Sequence, residues 1–349
     1  MKTQREVRDE IVDQLAFLVP QLEIEAFDSQ GQFRDLQFDL VVRIKVGAVE
    51  KTLLVQVKSP GEPRYLRQAV ARFEEIDALG PESYPLIAAP YISARGMAIC
   101  RQHNVGCVDL LGNVYLAFDN VYIERRVAEK PERERRRLKS LVAPVSSRII
   151  RAMLEDADRA WTLTELAETA DASLGQTYKV SEKLAAEAFA RKSGRGGLTL
   201  TDATGLLDLW RETYDVNEAN DVHSFHTSQR DPRRLMAEVE RAARDLDQRY
   251  AFTLHAGASL VAPHVRHSDV HFYVANDPQS WVDALDLHAV EFGGNIHLLR
   301  PYDEGIFYRL RQPEGIAVVG NIQLYLDLYN YPARGREQAE FLRDREIGF

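Results

Sequence analysis

Apolar side chains at Val7, Ile11, Leu15 and Leu18 recur at the three-to-four spacing of one helix face in REVRDEIVDQLAFLV. The period then shortens. LEIEAF, FDLVVRIKV, KTLLVQV, YPLIAAPY and VYLAF are short β-rich runs punctuated by SQGQ, GAVE and PGEP turns, with helical stretches at RYLRQAVARFEEIDAL and ARGMAICRQHN. This predicts an α/β domain over residues 1–127, a size that folds alone. From Ser146 three short helical patterns, SSRIIRAMLEDA, LTELAETA and SLGQTYKVSEKLAAEAF, lead into RKSGRGGLTLT. Thr162 and Glu165 have capping-box spacing, Ala172 and Ser173 make a tight turn, and Gly194, Gly196 and Gly197 suit a hairpin tip. Together they predict a winged helix-turn-helix over 141–215, with Ile149, Ile150, Met153, Leu163, Leu166, Val180 and Leu184 as its core. The polar stretch VNEANDVHSFHTSQRDPRR predicts a linker over 216–232. Beyond it, LMAEVERAARDLDQRY, DVHFYVAND, IHLLRP and their neighbours predict a C-terminal α/β domain over 233–349.

Composition narrows the classes. At 349 residues, 45% hydrophobic and 28% charged, the chain holds more than one core and is not disordered in bulk. No apolar run approaches the roughly 18 residues of a membrane span, and MKTQREVRDE lacks a secretory apolar segment, so a cytoplasmic protein without membrane partners is expected. Cys100 and Cys107 are too few for a disulfide framework or a four-thiolate zinc site and read as buried small hydrophobes. A net charge of −9 leaves affinity for phosphate to local patches. The densest is the basic linker at 128–140, including Arg135, Arg136 and Arg137.

Two segments carry candidate nucleic-acid chemistry. Asp39 on one predicted strand, with Gln56 and Lys58 on one face of the next, has the layout of a metal-dependent phosphodiesterase: Asp39 to hold Mg²⁺ or Mn²⁺, Gln56 to assist, Lys58 to orient water. A glutamine stands where a second acid is expected, and Asp39 and Lys58 also suit a partly buried structural ion pair. This segment, with RQAV in the following helix, resembles the PD-(D/E)XK restriction-endonuclease-like fold. The resemblance implies a deoxyribonuclease using Asp39, Gln56 and Lys58, or an inactive descendant of one.

In the predicted winged helix, Ser173, Gln176, Thr177, Lys179 and Lys183 are placed to read or position double-stranded DNA, and Arg191, Lys192 and Arg195 to grip its backbone. No cofactor is needed for that. In the C-terminal domain a Gly-Ala-Ser turn before a helix and a strand bearing Asp269 suggest a degenerate nucleotidyltransferase-like fold, since His271 occupies the alternate position. His255, His264, His267 and His271 match no zinc spacing and read as structural or surface histidines. LYLDLYNYPARG reads as core or oligomer interface.

The blocks VQVKSPGEPRYLRQAV, IAAPYIS, CVDLLGNVYLAF, WTLTELAETADASLGQTYKVSEKL, RPYDEGIFY and NIQLYLDLYNYPARG together resemble long proteins of the AbiEi family of type IV toxin-antitoxin systems. That resemblance implies a DNA-binding transcriptional regulator, expected as a homodimer, that opposes a nucleotidyltransferase toxin.

Overall fold

The computed structural model describes residues 2–349 apart from 30, 77–79, 128–131, 195–196 and 277, and within the described elements leaves out the side chains of 29, 133–135 and 137. Two units emerge: Met1–Arg135 with Ala186–Ala188, and Arg136–Ala185 with Phe189–Phe349.

The first unit opens with α1 (Gln4–Leu18), started by a Thr3/Glu6 capping box. A seven-stranded sheet follows from β1 (Leu22–Ser29), β4 (Leu40–Val46), β5 (Val49–Val57), β6 (Ser83–Ala89), β7 (Gly106–Asp109), β8 (Val114–Phe118) and β9 (Val121–Arg125), in that spatial order. A two-stranded ribbon, β2 (Gln32–Phe33) with β3 (Leu36–Gln37), interrupts the chain before β4. The β5–β6 and β6–β7 pairs are parallel, which requires the crossover helices α2 (Pro63–Glu74) and α3 (Ala94–Gln102). Strand alternation divides the core. Leu53, Val55 and Val57 meet Val7, Ile11 and Leu15 of α1, while Leu54 turns to the other side with Leu66, Val70 and Phe73 of α2 and Met97 and Cys100 of α3. The result is a three-layer α/β/α unit. Cys100 and Cys107 are free and buried in its second layer.

In the second unit α4 (Glu132–Leu141) and α5 (Pro144–Glu155) precede a short strand β10 (Trp161–Thr162), α6 (Leu163–Thr169) and α7 (Leu174–Ala186). A hairpin of β11 (Ala190–Ser193) and β12 (Gly197–Leu200) completes a three-stranded sheet with β10. The Thr162 capping box is formed as its spacing predicts. Because Thr162 is exposed, Thr162→Ala should remove the cap alone and cost about 1 kcal/mol of stability, read as a shift of the urea midpoint.

Helices α8 (Ala203–Arg211) and α9 (Val216–Ala219) lead to a five-stranded sheet ordered β14 (Tyr250–Thr253), β15 (Val270–Val274), β17 (Ile296–Arg300), β13 (Asp221–His226), β16 (His288–Ala289). It packs with α10 (Pro232–Leu246), α11 (Leu254–Val261), α12 (Gln279–Ala284), α13 (Asn321–Tyr329) and α14 (Gly335–Leu342).

Two expectations change here. The stretch 216–232 is not a linker: it supplies α9, β13 and the Asp231 cap of α10, and β13 pairs with β17 on one side and β16 on the other. Its polar side chains hid it, although Ser224 meets His297 Nδ1 at 2.9 Å within the sheet. Gly257, Ala258 and Ser259 lie inside α11 rather than in a turn before it; the tight point is Leu254, with φ of 52°. LYLDLY, read as core or interface, forms α13, whose residues from Ile322 to Leu328 are all buried. One continuous core joins Ile149, Trp161 and Leu184 to Phe272, Leu298 and Leu326, so α5–α7 are built into the same unit as the C-terminal sheet.

Candidate nucleic-acid interface

Pairing of β4 with β5 sets Leu40 opposite Val55. Asp39 just precedes β4, donates its N–H to the Val55 carbonyl at 3.1 Å, and accepts the Val57 N–H on Oδ2 at 2.8 Å. It is exposed, but one carboxylate oxygen is spent on the strand backbone. Lys58 stands one residue past the end of β5, half-buried. Burial lowers its pKa, Asp39 pulls it back up, and Arg72 of α2 lowers it further. The structure therefore brings Asp39 and Lys58 together electrostatically. Gln56 is 2% exposed, and neither amide atom finds a hydrogen-bond partner among the described residues. Among the described residues no group of three or more His, Cys, Asp or Glu side chains is arranged to hold a metal ion.

A buried acid that the sequence reading passed over lies at the end of β7. Asp109 is fully buried; its Oδ1 accepts the N–H groups of Leu111, Gly112 and Asn113 at 2.9 Å each, and its Oδ2 accepts Ile92 N–H at 2.8 Å and the Asn113 side chain at 2.6 Å. Burial raises its pKa while those donors oppose the rise. Five donors occupy both oxygens, so the group anchors the turn from β7 to β8. The signal in the sequence was Asp109 followed by the Gly112-Asn113 turn pair.

The second candidate surface is α7 with the β11–β12 hairpin. Ser173 Oγ accepts the Gln176 N–H at 3.2 Å, opening the helix as an N-cap does. The residues expected to face DNA divide. Lys179 is exposed on α7 and Arg191 is exposed on β11. Thr177 is fully buried with its hydroxyl given to the Ser173 carbonyl at 3.1 Å, so it cannot read a base edge. Gln176 is half-buried and its Nε2 donates to Ser146 Oγ at 3.2 Å. Lys183 is half-buried and donates to Ser140 Oγ of α4 at 2.7 Å, which turns it toward a neighbouring helix. Lys192 ion-pairs with Glu182 of α7 and lies 4.8 Å from the Tyr178 ring centre. Arg195 and the side chains of Arg135 and Arg137 fall outside the described residues; Arg136 is exposed on α4.

What the sequence reading missed is Tyr178. It is 52% exposed, beside Leu174 at 53% and Lys179, with nothing within 4 Å of where a Cβ of Gly175 would stand. Positions 174, 175, 178 and 179 share one face of a helix. That face offers apolar and aromatic area for base edges and sugars, a small residue for close approach, and one cation. Arg148 of α5 holds the turn ahead of α7, donating to Asp171 Oδ2 at 2.9 Å and to Asp303 at 2.7 Å.

The architecture is thus a three-layer α/β unit followed by a second unit in which three helices and a hairpin share a core with a mixed sheet. Residues 199–348 match the family model described as transcriptional regulator, AbiEi antitoxin, type IV TA system. The match spans less than half of the chain and begins at β12, so α7 and most of the hairpin lie ahead of it. No curated protein and no solved structure matches the chain. No helix among the described residues is long and apolar enough to cross a membrane.

Proposed function

We propose that this protein is a cytoplasmic, sequence-specific DNA-binding regulator of the AbiEi antitoxin type, in which α5–α7 and the β11–β12 hairpin form a winged helix-turn-helix. The observation that carries the reading is the outward face of α7, where Leu174, Gly175, Tyr178 and Lys179 are exposed together beside Arg191 of the hairpin. The match of residues 199–348 to a family of antitoxin regulators supports it from a different part of the chain. Tyr178 and Leu174 contact bases, and Lys179 and Arg191 contact phosphate. Two copies bind together on DNA, and the toxin opposed is a nucleotidyltransferase that co-purifies with the chain when the two are expressed together.

Selection from a random double-stranded pool, followed by mobility shifts at several salt concentrations, tests this. One sequence should be enriched, with affinity falling steeply as salt rises. Lys179→Ala and Arg191→Ala should each reduce the slope of log affinity against log salt by about 1. Lys183→Ala, tied as it is to Ser140, should leave that slope near the parent value. A pool in which nothing is enriched sinks the reading, and unchanged slopes in both of the first two variants sink the assignment of this face.

A further inference from the structure

A cleft of about 310 Å³ opens in the C-terminal part of the second unit, away from α7, lined among others by His255, Arg266, His267, Asp269, His271 and Tyr331. Its inner surface holds hydrogen-bonding groups without partners. His255 Nε2 lies 3.0 Å from the Ala333 carbonyl oxygen, which only accepts, so that nitrogen carries the proton and Nδ1 is a bare acceptor. His255 and His271 are each 6% exposed, and Nδ1 of both, together with Nε2 of His267, has no partner among the described residues. Three buried ring nitrogens unsatisfied in one cleft is a concentration that native interiors avoid, because each costs about 1–3 kcal/mol. Burial lowers the pKa of all three rings; His255 Nδ1 is an acceptor, while the unpaired nitrogens of His267 and His271 serve as donor or acceptor according to tautomer.

The walls are flat. His271 stacks on His297 at 4.2 Å with an interplanar angle of 14°, and Tyr331 meets both His255 and His271 edge-on. Asp269 adds a half-buried carboxylate. At the rim Arg266 is exposed and, among the described residues, forms no ion pair. His255 belongs to the first turn of α11, whose N-terminus has no side-chain cap because the Thr253 hydroxyl is given to Asp327.

These features select a ligand. His255 Nδ1 and the Asp269 carboxylate call for amino, ring N–H or hydroxyl donors; flat aromatic walls call for a planar ring; the guanidinium at the rim calls for an anion. A bare anion would meet His255 Nδ1 and the Asp269 carboxylate inside, and a hydrocarbon would leave the ring nitrogens unpaired. The volume sits at the small end of ligand pockets, enough for one nucleoside unit. We propose that this cleft binds a nucleoside monophosphate, with its base or ribose donors against His255, His267 and Asp269 and its phosphate at Arg266.

The site is independent of DNA binding by α7, and its test needs no DNA. Calorimetric titration of the full chain with AMP, GMP, CMP and UMP, the matching nucleosides, inorganic phosphate and Zn²⁺ reads it directly. At least one monophosphate should bind one-to-one with a dissociation constant below about 1 mM, as expected for a small cleft with few polar anchors. Arg266→Ala should weaken that monophosphate about tenfold and leave its nucleoside unchanged, the loss of one charge-assisted contact. His267→Gln should weaken both, and circular dichroism confirms that each variant folds. No monophosphate binding, equal binding by the parent and both variants, binding of phosphate alone, or tight Zn²⁺ binding without a nucleotide would each overturn the proposal.

Discussion

Asp109→Ala should destabilise the first unit by about 4 kcal/mol or more. The carboxylate accepts four backbone N–H groups and one side-chain amide in a site with no exposure, and alanine would leave those donors buried without acceptors. A stranded buried donor costs about 1 kcal/mol at least, and here several are stranded at once. The Asn113 side chain relays the effect, since its Oδ1 accepts the Val127 N–H at 2.8 Å. The measurement is amide exchange at Ile92, Leu111, Gly112 and Asn113 alongside urea unfolding. A loss under about 1 kcal/mol, with those amides still protected, would show that the turn holds without its carboxylate.

The second large effect is a dependence of stability on pH centred on Asp327. This carboxyl group is fully buried on α13, where Thr253, Tyr214, Tyr273 and Gln323 all donate to it. Burial raises its pKa to about 6 while the hydrogen bonds from those donors pull it down. A raised folded-state value means that between about pH 4 and pH 6 the folded protein keeps a proton that the unfolded chain has already released. The stability this group confers is therefore complete below the unfolded pKa and is lost as pH rises through the folded one, a fall of about 3 kcal/mol. Asp327→Asn should remove that fall. Relative to the parent, the variant should gain about 3 kcal/mol between pH 4 and pH 7 in urea titrations. Parallel pH profiles for the two proteins would place the titration elsewhere.

The Asp327 cluster also bears on how α5 is held. Gln323 donates to Asp327 and accepts from Arg151 of α5, a fully buried arginine that also reaches Tyr302 and lies 5.1 Å from the Trp210 ring centre. A buried cation on the first helix of the proposed DNA-binding element is thus tied to the helix carrying Asp327. This connection explains why the helices and the C-terminal sheet form one unit, where residue patterns predicted two domains and a linker.

Local signals were legible wherever one face of an element is buried and the other is wet. The helical stripe of α1, the Thr162 capping box, the α7 start at Ser173 and the β11–β12 hairpin all appear at the places their spacing predicts. Gln56 and Lys58 were grouped for the same reason, since alternation along one strand puts them on one face, but Asp39 and Lys58 stand just outside β4 and β5 and Gln56 is buried. Signals failed where burial is all-round or where polar side chains pair inside a sheet. Helix α13 has no wet face, so it shows no amphipathic stripe, and β13 carries His223 and Ser224 in mid-sheet, so it mimicked a linker.

The chain by itself therefore determined the order and type of most elements, the α/β character of both ends and the location of the helix and hairpin proposed to meet DNA, because periodicity and capping are local properties of neighbouring residues. Only the tertiary structure decided which side chains are free to act. Thr177 and Lys183 look as available in the sequence as Lys179, yet one is buried and the other is spent on Ser140, while Tyr178 is left outside. Exposure and hydrogen-bond partnership depend on residues distant in the chain, as do the closing of the His255, His267 and His271 cleft by Tyr331 and the reach of the Ile92 N–H to Asp109. No local pattern encodes them, because each is fixed by how separate elements pack.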